Sequence, residues 1–130
     1  MRVLALDYGS ARCGCALSDP TGTIVTPIEP VLRPATRRGL ARLVQLVRER
    51  EVQRVVVGLP LALDGEDTDQ TRETRGFADT LAARLGKAVA VELYDERFTT
   101  RIAARLENAE SSEDSRAAAV LLEDWLAQSQ

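Results

Sequence analysis

Histidine is absent from this sequence of 130 residues, and its absence excludes several kinds of active site. A Ser-His-Asp triad, a Cys-His pair and a zinc site with histidine ligands all need an imidazole. Cysteine is scarce too, since Cys13 and Cys15 are the only two and flank a single glycine. On a strand they would face the same way, at a separation too stretched for a disulfide. We therefore expect two small buried hydrophobic side chains, with a disulfide to a second copy as the alternative.

Long apolar runs are also missing. No run approaches the ~20 apolar residues that span a bilayer. The apolar run at the N-terminus ends at Asp7, so the sequence predicts a cytoplasmic protein with no signal peptide and no membrane contact. Hydrophobic residues at 45% and charged residues at 28% are ordinary for a soluble globular protein.

Basic and aromatic residues limit how the protein could bind nucleic acid. The net charge is −3 and Lys87 is the only lysine, so a nucleic-acid-binding surface would need a local patch of arginines. Aromatic residues make up 4%, too few for a platform on which bases stack. A bound nucleic acid would be recognised through its backbone and shape.

The apolar patterning predicts five strands and four helices. Three strands joined by short turns come first, and Pro27 and Pro30 place the third at a sheet edge. Gly86 is the expected C-cap of the second helix. The predicted strands are 3–8, 13–18, 23–31, 54–59 and 88–94, and the predicted helices are 36–51, 70–85, 99–107 and 113–126.

This order of elements predicts an α/β fold. A meander followed by two helix–strand units gives a five-stranded mixed sheet with the first strand at its centre and helices on both faces. That is the ribonuclease H-like arrangement, here in one domain spanning residues 1–130. Actin-like ATPases use the same core, but they need two such lobes to close on a nucleotide.

Acidic residues are predicted to meet at one end of this sheet. Ligands of open α/β sheets gather at the carboxyl ends of the parallel strands. Asp7 ends the first strand, in "LALDYGS", and Asp95 and Glu96 follow the last one, in "VELYDER". An acid beside buried apolar neighbours is costly unless it is paired or bound to a metal ion, although Asp7 could also be a turn or cap residue.

Asp114 lies at the start of the last predicted helix. Ser111 precedes it by three residues, so a role in capping the helix is one interpretation. A cap explains an acid in the first turn but not its inward direction. At ~100° per residue, Asp114 shares a face with the apolar stripe of the helix, which consists of Ala118, Leu121, Leu122 and Trp125.

Three carboxylates without histidine favour a hard divalent cation. Mg²⁺ or Mn²⁺ prefers oxygen ligands and keeps several waters. Two such ions ~4 Å apart activate a water and stabilise the leaving oxygen in phosphodiester cleavage. Asp7 is thus predicted to be a metal ligand, and the turn at Gly9 would leave room for a phosphate.

Four ordered segments resemble the motifs of the YqgF (RuvX) family, known as Holliday-junction resolvase-like proteins and as nucleases that mature the 5′ end of pre-16S rRNA. The segments are "ALDYGSARCGCALSD", "VVGLPLALDG", "DERFTT" and "DSRAAAVLLEDWL", and they cover nearly the whole chain. The resemblance implies a ribonuclease H-like fold and a nuclease that depends on Mg²⁺ or Mn²⁺. It implies Asp7, Glu96 and Asp114 as the catalytic, metal-binding triad, and it leaves open whether Asp95 is a ligand.

The sequence departs from the family pattern at two places. Cys13 and Cys15 stand where the family has aliphatic residues, and Ala62 stands where it usually has Asn, so a polar substrate contact would be missing. Arginines near the site are candidate phosphate contacts, although each could instead face solvent or form an ion pair. The candidate substrate-binding residues are Gly9, Arg12, Arg72, Arg75, Arg97 and Arg101.

The leading hypothesis is a metal-dependent endonuclease that acts on structured nucleic acid. Maturation of the 5′ end of pre-16S rRNA is preferred to resolution of four-way DNA junctions, because junction cleavage needs two symmetric active sites and hence a homodimer, which the sequence does not require. An actin-like ATPase lacks its second lobe here, and a phosphoaspartyl phosphatase would need an acid two residues after Asp7. A non-catalytic RNA-binding module is the remaining alternative, and an intact triad argues against it.

Overall fold

The computed structural model of the chain describes residues 1–96 and 113–129, with the side chains of 113 and 114 left undescribed. These parts contain five strands, three α-helices and a short 3₁₀ turn at Gly86–Ala88. The elements are β1 (Val3–Asp7), β2 (Arg12–Ser18), β3 (Val25–Leu32), α1 (Arg37–Glu49), β4 (Arg54–Leu59), α2 (Asp69–Leu85), β5 (Ala90–Asp95) and α3 (Glu113–Gln128).

The five strands form one mixed sheet with β1 at its centre. Their order is β3-β2-β1-β4-β5, with β2 antiparallel to both β3 and β1, and β4 parallel to both β1 and β5. The predicted sheet, with its central first strand, is confirmed. Because β1, β3, β4 and β5 run the same way, their C-terminal ends lie together with the N-terminal end of β2. We call this end of the sheet the carboxyl edge.

Both faces of the sheet are covered, as the apolar patterning predicts. Alternate residues of a strand point to opposite faces, so Leu4 and Leu6 pack on the side of α1 and α2, whereas Val3 and Ala5 pack on the side of α3. Residues of β1 from Val3 to Leu6 are almost fully buried. The central strand is therefore packed between two cores, and Asp7 at its end is partly buried.

The β3 strand is an edge strand and is irregular. Pro27 and Pro30 lie within it, where a missing N–H is tolerated. Its register with β2 shifts between Cys13, which faces Val31, and Cys15, which faces Ile28. Both cysteines are buried, as small hydrophobic side chains are expected to be, and neither forms a disulfide within the described residues.

The helices begin and end close to where their sequence signals predict. Thr36 caps α1 by accepting a hydrogen bond from the Gly39 N–H, and Thr68 caps α2 in the same way. Gly86 is the C-cap of α2 with a φ of 74°, as predicted. The predicted helix at 99–107 lies outside the described residues. Within the described ranges, no helix combines the length and apolar character needed to cross a membrane.

Candidate active site

Asp7 lies at the carboxyl edge in the middle of the sheet. Strands on both sides hold the backbone before it, because Leu6 pairs with Cys15 of β2 and with Val57 of β4. By strand alternation, the Asp7 side chain belongs to the α3 side of the sheet. The half-buried Asp7 side chain therefore follows a backbone that is paired on both sides, on the face of the sheet that α3 covers.

Glu96 reaches the same side from the end of β5. Its backbone N–H donates to the carbonyl of Leu59 at 3.3 Å, which continues the pairing of β5 with β4 by one residue. Its carboxylate lies against Gly58 of β4, where an added Cβ would stand 2.5 Å from Oε2 of Glu96. The same Cβ would be 3.0 Å from Cδ2 of Leu121 on α3. Only glycine leaves room for the glutamate between β4 and the helix.

The pKa of Glu96 reflects both its burial and the other acids at the carboxyl edge. Burial is the main cause that raises the pKa of Glu96 to about 7, and the negative charges of Asp7 and Asp95 raise it further. Asp95 pairs with Leu59 at the end of β5. Asp7 and Asp95 are therefore each close enough to the Glu96 carboxyl group to repel its ionised form.

Asp7 and Glu96 supply carboxylate oxygens, which are the ligands that Mg²⁺ and Mn²⁺ prefer. A cation beside them would offset the part of the raised pKa of Glu96 that comes from negative charges, which is smaller than the part that comes from burial. Among the side chains that the structure describes, no set of three or more His, Cys, Asp or Glu residues is arranged to hold a metal ion. The third predicted ligand, Asp114, has no described side chain, so the complete triad stays a prediction.

The start of α3 is nevertheless held over the sheet. Ser115, immediately after Asp114, is 2% exposed. Its Oγ accepts from the Cys15 N–H at 3.3 Å and donates to the Ile28 carbonyl at 2.5 Å. The shift in register between β2 and β3 lies at the same place, so one hydroxyl links both strands to the first turn of the helix. Asp114 therefore belongs to a turn that is anchored to β2 and β3.

The helical face predicted for Asp114 is the buried one. The four apolar residues expected to share it all lie in the core between α3 and the sheet, and Glu123 is exposed on the other side. The buried residues are Ala118, Leu121, Leu122 and Trp125.

The turn after β1 is tight. An added Cβ at Gly9 would stand 2.8 Å from the carbonyl oxygen of Arg12, so glycine allows the close approach of the two strands. Tyr8 points to the other face and stacks on Phe77 of α2, with ring centroids 4.4 Å apart. Burial, followed by a hydrogen bond to Glu73, raises the pKa of Tyr8 to about 12. A phosphate at Gly9 stays a prediction.

The arginines predicted to contact phosphate lie in different parts of the chain, and two of them form ion pairs. Arg12 is exposed at the start of β2. Arg72 forms an ion pair with Asp69, and Arg75 forms a two-pronged one with Asp67, each N–O distance being 3.1 Å. These two arginines of α2 are thus already next to carboxylates. Arg97 and Arg101 lie outside the described residues.

Two residues of this site are missing from the predicted set. Gly58 is an isolated glycine in the valine-rich strand "RVVVGL", and such a glycine signals a close approach of other atoms. Ser115 is a buried polar residue at the head of an apolar helix face, which is a signal for a hydrogen-bonding role.

Comparison with known proteins gives a consistent result. Residues 1–128 match the family described as "RuvX: Holliday junction resolvase". A protein of Maridesulfovibrio salexigens is 38% identical, over 98% of both chains, and one of Anaeromyxobacter dehalogenans is 40% identical, over 97% of this chain and 96% of the other. Both bear the name "Putative pre-16S rRNA nuclease".

The fold has a counterpart among solved structures. RuvC of T. thermophilus, solved in complex with a Holliday junction substrate, superposes with a TM-score of 0.63. The match covers 99% of this chain and 95% of that one, at 15% sequence identity. At this identity the likeness shows the fold alone, and it confirms the predicted ribonuclease H-like arrangement.

Proposed function

Because this chain belongs to the RuvX family, we propose that it is a metal-dependent endonuclease that hydrolyses phosphodiester bonds in structured nucleic acid and matures the 5′ end of pre-16S rRNA. The observation that carries this proposal is the Glu96 carboxylate lying over Gly58, within electrostatic reach of Asp7, at the carboxyl ends of parallel strands. Open α/β sheets bind their ligands at this end.

In this proposal Asp7, Glu96 and Asp114 hold Mg²⁺ or Mn²⁺. When bound, such ions supply the positive charge that activates a water and stabilises the leaving oxygen. Asp7 and Glu96 come from neighbouring parts of a rigid sheet, so their carboxylates need little rearrangement to act together. The partial burial of Glu96 lowers the effective dielectric constant around its carboxylate, which strengthens the attraction of the ionised group for a cation.

Ribosomal RNA is the preferred substrate. The relatives with 38% and 40% identity carry a name that refers to pre-16S rRNA, whereas the resemblance to RuvC is one of fold. Such a nuclease acts where ribosomes are assembled, so the proposal includes a cytoplasmic location. Resolution of four-way DNA junctions is the second candidate, because the family description names it. It would require a homodimer with two symmetric active sites.

The test is to incubate the pure protein with a pre-16S 5′ leader and with a four-way DNA junction, each in Mn²⁺ or in EDTA. We expect cleavage of the leader in Mn²⁺ and none in EDTA. Asp7→Asn and Asp114→Asn should lower single-turnover cleavage by orders of magnitude, because a ligand charge is lost. Glu123→Gln is the matched control, since it removes an exposed carboxylate from α3 and should cut normally.

Thermal melts in EDTA distinguish whether Asp114 acts as a metal ligand or as a helix cap. Removing a ligand charge from a repulsive cluster should leave the metal-free stability unchanged or higher. An Asp114→Asn variant that melts at a lower temperature than wild type but cuts normally would show that Asp114 caps the helix and is not a metal ligand. Cleavage in EDTA, or tight leader binding with no cleavage in any divalent ion, would contradict the proposed enzyme and favour a non-catalytic RNA-binding module.

A further inference from the structure

The basic residues of this acidic protein are distributed unevenly. Between residues 33 and 50 the sequence has six arginines and one glutamate, so the negative excess of the chain lies elsewhere. Three of these arginines, Arg33, Arg37 and Arg38, are exposed around the turn that joins β3 to α1. Arg12 is exposed on the adjacent strand, where it pairs with Leu32. We call these four residues the arginine strip.

The arginine strip lies along the carboxyl edge. β3 runs parallel to β1, so Arg33, which follows β3, is at the same end of the sheet as Asp7. Asp7 pairs with Gly14, two residues beyond Arg12. Strands are ~4.8 Å apart, so β3 lies ~10 Å from β1. The strip starts close to the candidate active site and continues over the sheet edge to α1, which covers the opposite face from α3.

The backbone holds Arg33 in a strained conformation. Its φ is 45°, in the left-handed region that favours glycine. Its N–H donates to the Ala11 carbonyl at 2.9 Å, and its carbonyl accepts from both the N–H and the Oγ of Thr36, at 3.1 Å and 2.7 Å. Gly39 allows α1 to approach, because a Cβ there would overlap the Arg33 carbonyl. Arg33 is therefore presented from a fixed turn next to β2.

Arg37 and Arg38 are placed where a helix disfavours them. They lie in the first turn of α1, which contains no acidic residue, and the positive end of a helix dipole repels cations. Within residues 1–96 and 113–129, no ion pair includes Arg33, Arg37 or Arg38. Arg72 and Arg75, in contrast, are paired with nearby acids. Arg33, Arg37 and Arg38 are thus three neighbouring cations with no ion-pair partner among the described residues, and such a group is suited to an anionic partner.

We propose that the arginine strip binds the sugar-phosphate backbone of the substrate beside the cleaved bond, and guides that backbone from the active site over the sheet edge to α1. The inference rests on the proposed function, and the anion it requires is a row of phosphates. Arginine forms two-pronged contacts with phosphates, and such contacts position a nucleic acid without reading its sequence. The scarcity of aromatic residues agrees with recognition of this kind.

Binding of a labelled pre-16S 5′ leader in EDTA, measured by fluorescence anisotropy at several salt concentrations, tests the strip without cleavage. The test variants are Arg37→Gln/Arg38→Gln and Arg33→Gln. The matched control is Arg48→Gln/Arg84→Gln, which removes two exposed arginines from the last turns of α1 and α2, at the opposite end of the sheet. Circular dichroism melts establish that each variant is folded.

We expect the double variant of the strip to bind roughly tenfold more weakly at low salt, and its slope of log K against log salt to be lower by roughly 1 to 2. The control should bind within about twofold of wild type, since it contacts no phosphate in this proposal. Equal losses in the strip and control variants would overturn the proposal, because they would show a general effect of charge. Unchanged binding by both strip variants would overturn it as well.

Cleavage assays in Mn²⁺ separate this proposal from the proposed function. If wild type cuts the leader and the strip variants bind it normally, the proposed role of the arginine strip is wrong and the proposed nuclease function is retained. If the strip variants bind the leader weakly but no form of the protein cuts it, the proposed nuclease function is wrong and the proposed role of the arginine strip in binding phosphates is retained.

Discussion

Gly58 illustrates how much of the site depends on a missing side chain. The glycine interrupts a buried, valine-rich strand, where it costs stability because it packs little and loses more conformational freedom. In return it leaves a gap between β4 and Leu121 that the Glu96 carboxylate occupies. The acidic site is thus made by residues from adjacent strands, one supplying the carboxylate and the other the space.

We expect Gly58→Ala to lower Mn²⁺ affinity and cleavage by at least an order of magnitude while the protein stays folded. The new methyl group would stand 2.5 Å from Oε2 of Glu96, so the carboxylate must leave the position that it holds over β4. Titration calorimetry with Mn²⁺ and single-turnover cleavage measure the two effects.

Gly76→Ala is the control for this substitution. Gly76 is exposed within α2, and an added Cβ would meet nothing within 4 Å. Because alanine is the better helix former, this variant should be more stable by about 0.5–1 kcal/mol and cut normally. A Gly58→Ala protein that binds Mn²⁺ as tightly as the Gly76→Ala protein would contradict the role given to Gly58.

Only part of the candidate site could be predicted at the level of single residues. The position of Asp7 at the end of the central strand was predicted from the apolar run that precedes it, and this position is confirmed. Arg72 and Arg75 looked equally suitable as phosphate contacts, but their carboxylate partners lie one helical turn away or in the preceding loop. Which nearby acid a long side chain selects depends on local geometry that residue type does not determine.

At the scale of elements, two hydrogen bonds connect the first turn of α3 to the β2–β3 pair. Ser115 reaches the backbone of both strands at their change of register, where Cys15 faces Ile28. These hydrogen bonds connect the first turn of α3, which contains Asp114, to the edge of the sheet where the register of β2 and β3 shifts. The position of a predicted metal ligand is thereby coupled to the backbone of two strands.

Ser115→Ala should therefore destabilise the protein by roughly 1–3 kcal/mol, because two buried backbone groups lose their hydrogen-bonding partner. Urea denaturation measures this change. Ser129→Ala is the control, since the Ser129 hydroxyl donates only to the Trp125 carbonyl at the exposed end of the same helix. Its effect should stay within about 0.5 kcal/mol. Equal stability of the two variants would show that Ser115 does not anchor α3.

The boundaries of most elements follow from local signals and were predictable. Strand β4 is observed at Arg54–Leu59, as predicted, because a run of valines ends at Pro60. The irregular pairing of β2 with β3 was not predicted, although Pro30 lies beside it. A change of register depends on how two strands meet, and neither strand alone encodes it.

At the scale of the whole molecule, the acidic site links folding to pH and to metal ions. In the metal-free folded protein the Glu96 carboxyl keeps its proton up to a pH of about 7, whereas its ordinary pKa is 4.5. Between these two values the folded state binds more protons than the unfolded state. Proton binding therefore stabilises the fold at low pH, and that contribution is lost as the pH rises through the pKa of the folded state.

We expect the free energy of unfolding of the protein in EDTA to fall by roughly 2 kcal/mol, relative to Glu96→Gln, as the pH rises from 4.5 to about 7. Mn²⁺ should reverse this trend for wild type, because the ion binds the ionised carboxylate. Urea denaturation across this pH range, with and without Mn²⁺, measures both effects. Parallel pH profiles for wild type and Glu96→Gln in EDTA would contradict the raised pKa.

The sequence by itself determined which segments become strands and helices, which strand is central and which lies at the edge. Apolar periodicity, prolines and caps act over a few residues, and the compact packing of a meander with two helix–strand units leaves few alternatives. The tertiary structure alone decided that Glu96 lies over Gly58, that Ser115 joins α3 to two strands, and which arginines are paired. Glu96 and Gly58 are far apart in the chain. Their contact therefore depends on the pairing of β4 with β5 in register and on the packing of α3 against the sheet.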